Sequence, residues 1–144
     1  MKKVTIKGTE LDVFPIGLGT NAVGGQKYYP NITDEAGREF LRKALSVEMD
    51  FWDTAFTYGP KRSEEIIGEV LAAEKARNNV VLASKAAHQF TEDGTVHNNH
   101  PDFLQEAVNE SMERLQTDFI DLFYIHFPDE DTPKYEAVGA LQEL

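Results

Sequence analysis

The sequence predicts an α/β fold in which parallel strands alternate with single amphipathic helices, either closed into a barrel or opened as a doubly wound sheet. Three observations carry this. Short runs rich in β-branched and aromatic residues alternate four times with longer segments of helical periodicity. The runs at 80–85 and 122–127 are apolar at successive positions, as parallel strands covered on both faces are. No linker, low-complexity stretch or internal repeat divides the chain, so residues 1–144 read as one unit.

A short hairpin opens the chain, with Val4-Thr5-Ile6 and Leu11-Asp12-Val13-Phe14 flanking Lys7-Gly8-Thr9-Glu10. It reads as a lid or plug. Ile16-Gly17-Leu18-Gly19-Thr20 is the first core strand, and a polar, Gly-rich loop leads to a helix capped by Thr33, with Asp34 and Glu35 in its first turn. Phe40, Leu41, Ala44 and Leu45 form its apolar stripe. Phe51-Trp52-Asp53-Thr54-Ala55 is the second strand, followed by a loop through Tyr58-Gly59-Pro60 and a helix with Ser63 as its expected cap and Ile66, Ile67, Val70 and Leu71 as its stripe. The run at 80–85 is the third strand, and Phe103, Leu104, Ala107, Val108, Met112 and Leu115 stripe the next helix. After the fourth strand at 122–127, Thr132-Pro133 is expected to open a fourth helix as cap and first-turn proline, and the periodicity continues through Tyr135, Val138 and Leu141 towards Leu144. A closed (β/α)8 barrel takes roughly 250 residues, so four such units make half of one.

Of the 144 residues, 41% are hydrophobic and 27% charged, the balance of a globular chain. Net charge is -11, from 25 acidic and 14 basic residues, so the average surface repels nucleic acid and anionic membranes, and neither is expected as a partner. A phosphate-bearing ligand would need a local basic site. No apolar run approaches the roughly 18 to 20 residues of a membrane span, and Met1-Lys2-Lys3 leads into an alternating strand rather than a signal-peptide core. The expected compartment is the cytoplasm. Cysteine is absent, which excludes disulfides, thiolate nucleophiles and Cys-bound metal centres.

Function in α/β proteins gathers at the C-terminal ends of the strands. Asp53 stands late in the second strand, Lys85 ends the third, His126 stands near the end of the fourth, and Tyr58 lies just beyond the second. Period-two alternation puts Phe51, Asp53 and Ala55 on one strand face, Val81, Ala83 and Lys85 on the next, and Leu122, Tyr124 and His126 on the third. If those faces point inward, the polar groups converge. Taken singly, Asp53 and Lys85 also read as one satisfied salt bridge, Tyr58 as loop packing and His126 as a hydrogen-bonded core histidine. Three consecutive strands each ending in an ionisable group favour function, because burying such groups unpaired is costly. Trp52 alternates away from Asp53 and reads as strand-to-helix packing. His97 and His100 flank Asn98-Asn99 in a loop and, without a third ligand, predict no metal site. His88 and Phe90 lie in what reads as a loop after Lys85, suited to a substrate mouth or to plain packing.

Phe51-Trp52-Asp53-Thr54-Ala55-Phe56-Thr57-Tyr58-Gly59, followed by Ser63-Glu64 and Ile67-Gly68, resembles the signature of the aldo-keto reductase superfamily around its catalytic aspartate and tyrosine. Ser84-Lys85 and Tyr124-Ile125-His126-Phe127-Pro128-Asp129 resemble the family's lysine and histidine segments, and Ile16-Gly17-Leu18-Gly19-Thr20-Asn21 is similar to its first strand and loop. The match runs through essentially the whole chain in order and is most similar in tone to the bacterial inositol-cluster and general-stress type reductases. The resemblance implies a (β/α)8 TIM barrel, of which residues 1–144 would be the N-terminal half: the hairpin and the first four β/α units.

It also implies NADPH-dependent reduction of aldehydes or ketones. Tyr58 would be the general acid that protonates the carbonyl oxygen, Lys85 the ammonium that makes a phenol a readier donor, Asp53 the partner that keeps Lys85 charged and aimed, and His126 the hydrogen-bond donor that orients the carbonyl. Thr20, Asn21 and Asp53 would approach the nicotinamide end of the cofactor. Its pyrophosphate and 2'-phosphate would be held by loops after later strands, and Gly17-Leu18-Gly19 is no dinucleotide fingerprint, since it lacks a third glycine opening a helix. The 144 residues by themselves are therefore expected to turn over no carbonyl. They are also expected to self-associate, because four parallel strands leave two open edges and an inward face, carrying Leu18, Phe51, Val81 and Leu122, without its opposite wall. Two other roles stand beside the enzyme: a cofactor-sensing barrel without turnover, and a structural fragment.

Overall fold

The computed structural model describes residues 2–25 and 27–143. It opens with the antiparallel hairpin β1 (Val4–Thr5) and β2 (Asp12–Val13). Then come β3 (Leu18–Gly19), α1 (Asp34–Ser46), β4 (Phe51–Asp53), α2 (Arg62–Ala73) and β5 (Val81–Ala86). A second hairpin of β6 (His88–Thr91) and β7 (Gly94–His97) precedes α3 (Pro101–Leu115), β8 (Leu122–Ile125) and α4 (Lys134–Gln142). The strands β3, β4, β5 and β8 form one parallel sheet in that spatial order.

The register of that sheet decides between the two architectures. Leu18 stands beside Trp52 and Trp52 beside Leu82. These side chains share a closed core with Leu41 of α1, Ile66 and Leu71 of α2, and Leu115 of α3. Phe123 and Ile125, in register with Ser84 and Ala86 on the same face, pack with Leu104 of α3 and Ala137 of α4. All four helices therefore cover one face. A doubly wound sheet carries helices on both, so the arrangement is that of a barrel wall, with Phe51, Asp53, Val81, Lys85 and Leu122 on its half-buried inner side. Trp52 packs against helices as its alternation indicates, and its indole Nε1 donates to Met49 O at 2.6 Å. Leu18 departs from the expectation: β3 is only two residues long, and its pairing with Trp52 turns Leu18 towards the helices rather than inward.

The first hairpin is tied to the N-terminal end of β4. The amide of Phe14 donates to Asp50 Oδ1 at 2.7 Å, and Lys3 pairs with the same carboxylate, which immediately precedes β4. Helix starts follow local chemistry only in part. Thr33 caps α1, accepting from Ala36 N. Ser63 does not cap α2, which begins after Lys61 in a left-handed conformation; the serine hydroxyl is buried and bonded instead to Thr54 Oγ1 and Thr20 O, each at 3.1 Å. Thr132 does not cap α4 either, because Asp129 captures its hydroxyl and amide, leaving Pro133 at the cap position. The segment read as loop around His88 and Phe90 is the β6–β7 hairpin. Asp93-Gly94 at its tip is a local hairpin signal, and Gly94 has a φ of +136°.

Polar chemistry locks the helices onto the sheet. Glu64 of α2 is fully buried, accepts from Ser84 Oγ at 2.6 Å and pairs with Arg114 Nε at 2.9 Å. Beside it, Gly68 lets α2 approach the end of α3, where any Cβ would collide with the carbonyl of Arg114. Among the described residues, no helix is long and apolar enough to cross a membrane.

Replacing Glu64 by alanine strands Ser84 and a largely buried guanidinium. The expected loss of unfolding free energy is roughly 3 kcal/mol, at the low end for a broken buried pair because Arg114 keeps Glu110. Chemical denaturation measures it, and an unchanged midpoint would show that the pair contributes nothing. The sheet edges β3 and β8 generate a second expectation. Produced by itself, the chain is expected to associate through them, and we propose that a second copy closes an eight-stranded barrel. Light scattering at micromolar concentration should then exceed the 16.2 kDa of one chain, and a cooperatively melting monomer would overturn this.

Candidate active site

Three of the sequence-predicted residues meet in one cluster at the C-terminal end of the sheet. Asp53 closes β4, and Lys85 stands further along β5 on the same face, two positions beyond Ala83, the register partner of Asp53. Its side chain reaches back across the strands. Lys85 Nζ donates to Asp53 Oδ1 at 2.6 Å, to Thr54 O at 2.6 Å and to the Tyr58 hydroxyl at 3.3 Å. The same ammonium lies 4.8 Å from the centroid of the Tyr58 ring. An ammonium has three protons to donate and here finds three acceptors. The lysine side chain is 14% exposed, and Asp53 gives its ammonium an opposite charge in that mostly buried place.

His126 follows β8 directly, and its amide extends the β5 ladder by donating to Ala86 O at 2.8 Å. Its ring meets that of Tyr58 edge-on at 6.1 Å between centroids. Nδ1 is buried without a hydrogen-bond partner among the described residues. Burial, and then the nearby Lys85 ammonium, push the imidazole down to about 4, so His126 is neutral near pH 7. His88 packs 5.0 Å from it and is also held below the usual histidine range by burial and by His97. The sequence alternation had not placed His88 and His97 in this aromatic group, which the β6–β7 hairpin brings over Phe127.

Thr20 and Asn21 lie at the mouth of β3. Thr20 is fully buried, and both its amide and its hydroxyl donate to Asp53 O, at 3.0 and 2.9 Å. It therefore holds the backbone under Asp53. Asn21 is exposed and donates to the Tyr29 hydroxyl at 2.9 Å. Asn21, Tyr29, Tyr58, His88 and Phe90 line a cleft of about 620 Å³. A larger depression of about 830 Å³ lies at the opposite end of the strands, around Asp50, and contains none of these groups. The cluster can give a proton from a phenol, stabilise the anion left behind with an ammonium, and offer a neutral imidazole beside it.

The histidine carries a pH dependence of defined sign. Its folded pKa of about 4 lies below the ordinary value of about 6.5, so between those values the unfolded chain binds a proton that the folded chain does not. The stability contributed by the neutral ring is complete above about pH 6.5 and is lost as the pH falls towards 4. His126→Gln is expected to lose less stability than the parent between these limits. Denaturation curves at pH 7 and pH 5 provide the comparison, and equal losses would count against a depressed His126.

The signature of the Aldo/keto reductase family matches residues 15–144. Aldo-keto reductase YhdN of Bacillus subtilis is 36% identical over 145 residues, which cover 100% of this chain and 43% of the relative. Aldo-keto reductase yakc [NADP(+)] of Schizosaccharomyces pombe is 32% identical over 128 residues, covering 88% of this chain and 38% of the relative. Among solved structures, the holo form of aldo-keto reductase AKR11C1 from Bacillus halodurans superposes with a TM-score of 0.87 at 28% identity, over 99% of this chain and 46% of that one. Glycerol dehydrogenase AKR11B4 from Gluconobacter oxydans gives 0.85 at 30% identity, over 99% and 44%. The chain thus spans less than half the length of these relatives, and the fold it shares with the structures is part of a (β/α)8 barrel. On its sequence, its one-sided sheet and these matches together, the chain belongs to the aldo/keto reductase family of oxidoreductases.

Proposed function

We propose that this chain supplies the proton-donating part of the active site of an NADPH-dependent carbonyl reductase, which converts aldehydes or ketones to alcohols. The observation that carries this reading is the Lys85 ammonium, fixed by Asp53 and Thr54 and turned onto the hydroxyl of Tyr58. Because Lys85 donates to that hydroxyl, the phenolic proton is left free for a substrate.

The residues present suit the nicotinamide end of a dinucleotide. Asp53 and Asn21 offer a carboxylate and an amide at the rim of the sheet, and the buried, unpartnered Nδ1 of His126 marks a place where a polar group of a ligand is wanted. The phosphates find less. Lys61 is paired with Glu110, and Arg62 with Asp34, Glu65 and Glu69. A reduced nicotinamide supplies, when bound, the hydride that the carbonyl carbon accepts. Tyr58 then gives its proton to the carbonyl oxygen, so hydride and proton together make the alcohol. Lys85 stabilises the phenolate left behind, and Asp53 stabilises Lys85. His126, neutral, donates a hydrogen bond to the carbonyl oxygen and fixes its approach to Tyr58.

The 144 residues by themselves are expected to be inactive, because hydride transfer needs the donor held in register and the cations Lys61 and Arg62 are already paired with carboxylates. In a protein that also contains the remaining strand-helix units, Tyr58→Phe is expected to leave NADPH affinity nearly unchanged. Turnover should slow by roughly 100-fold to 10,000-fold, the worth of a general acid. Steady-state kinetics and cofactor titration on the same variant separate the two effects. Retention of more than half the parental rate would remove Tyr58 as proton donor.

A further inference from the structure

The cleft beside Tyr58 has a chemical bias of its own. Tyr28, Tyr29 and Phe90 line it with exposed aromatic rings. The chain carries 25 acidic residues, yet among the described residues no acidic side chain lines this cleft. Lys27 does. Its ammonium lies 5.6 Å from the centroid of the Tyr28 ring and has no carboxylate partner among the described residues. His88, the other basic group of the lining, is held towards its neutral form by burial and by His97, so Lys27 supplies the positive charge.

We infer that Lys27 and the aromatic wall select, among carbonyl substrates, aromatic aldehydes or ketones whose ring carries an anionic group such as a carboxylate. The inference rests on the proposal that Tyr58 receives the carbonyl. With a net charge of -11, the chain repels a small anion at most of its surface, so an anionic substrate needs a local cation to be admitted. Planar rings along the walls favour a planar ligand by stacking and apolar contact. Tyr58 and Lys27 line the same cleft, so a ring held there meets a proton donor and a cation on its walls. An uncharged aldehyde keeps the stacking and loses the ion pair.

The test is a ligand-observed NMR titration of the full 144-residue chain with 4-formylbenzoate and its neutral counterpart 4-formylbenzamide. The carboxylate is expected to bind about fivefold more tightly at low salt, the scale of a partly exposed ion pair, and the advantage should shrink at about 0.5 M salt. Lys27→Met should erase the advantage without weakening 4-formylbenzamide, and Lys27→Arg should keep it. No preference in the parent, or a preference that survives Lys27→Met, overturns the inference. So does a Lys27→Met variant that weakens inorganic phosphate while leaving 4-formylbenzoate unchanged, which would make Lys27 a phosphate contact. A separate arm compares 4-formylbenzoate with 4-methylbenzoate, which lacks the carbonyl, in the parent and in Tyr58→Phe. If the aldehyde's advantage is unchanged in Tyr58→Phe, the reading of Tyr58 fails while Lys27 remains the anion contact.

Discussion

Lys85 carries its amine into a mostly buried place, and much of the surrounding structure answers to that constraint. An ammonium removed from water needs an opposite charge and enough acceptors for its protons. Asp53 meets the first need, and the Thr54 carbonyl with the Tyr58 hydroxyl completes the second. Two of the three acceptor residues are braced in turn. Thr20 holds the backbone oxygen of Asp53 through both its amide and its hydroxyl, and Ser63 ties Thr54 to Thr20 from the first turn of α2. The serine that local rules would spend on capping a helix is used to join β3, β4 and α2 beneath the cluster.

The other face of the same strand is locked by a second polar group. Ser84 and Lys85 are neighbours in sequence, and the pleat of β5 sends them to opposite sides of the sheet. Ser84 is held by Glu64, which Arg114 holds from α3, so the backbone that presents Lys85 inward is clamped from the helix side. Gly68 allows the close contact of α2 with the end of α3 that this arrangement requires. Paired charge therefore lies against both faces of β5, Lys85 with Asp53 on one and Glu64 with Arg114 on the other.

The electrostatics at the cluster also explain why its histidine differs from an ordinary surface one. Lys85 and burial act on His126 in the same direction, and His88 adds to both. A neutral ring beside an ammonium and a phenol can donate a hydrogen bond without adding a second positive charge to the site. The hairpin β6–β7 contributes to this by packing His88 and His97 against His126 and Phe127, keeping water from the imidazole.

Much was legible in the amino-acid sequence, for physical reasons that act locally. Strand and helix periodicity marked the four β/α units, the alternation of Phe51, Trp52 and Asp53 separated the two faces of β4, and the ionisable groups at the strand ends marked where Asp53, Tyr58 and Lys85 come together. What local pattern could not decide was whatever depends on a partner distant in the chain. The choice between barrel and open sheet lay in the register Leu18–Trp52–Leu82, which puts every helix on one side. The roles of Ser63 and Thr132 lay in Thr20, Thr54 and Asp129 competing for their hydroxyls. The neutral state of His126 lay in burial by a hairpin whose polar residues read as loop. Periodicity and residue chemistry are written along the chain, whereas register, hydrogen-bond partner and desolvation exist only once distant segments are in contact, and those were decided by the tertiary structure.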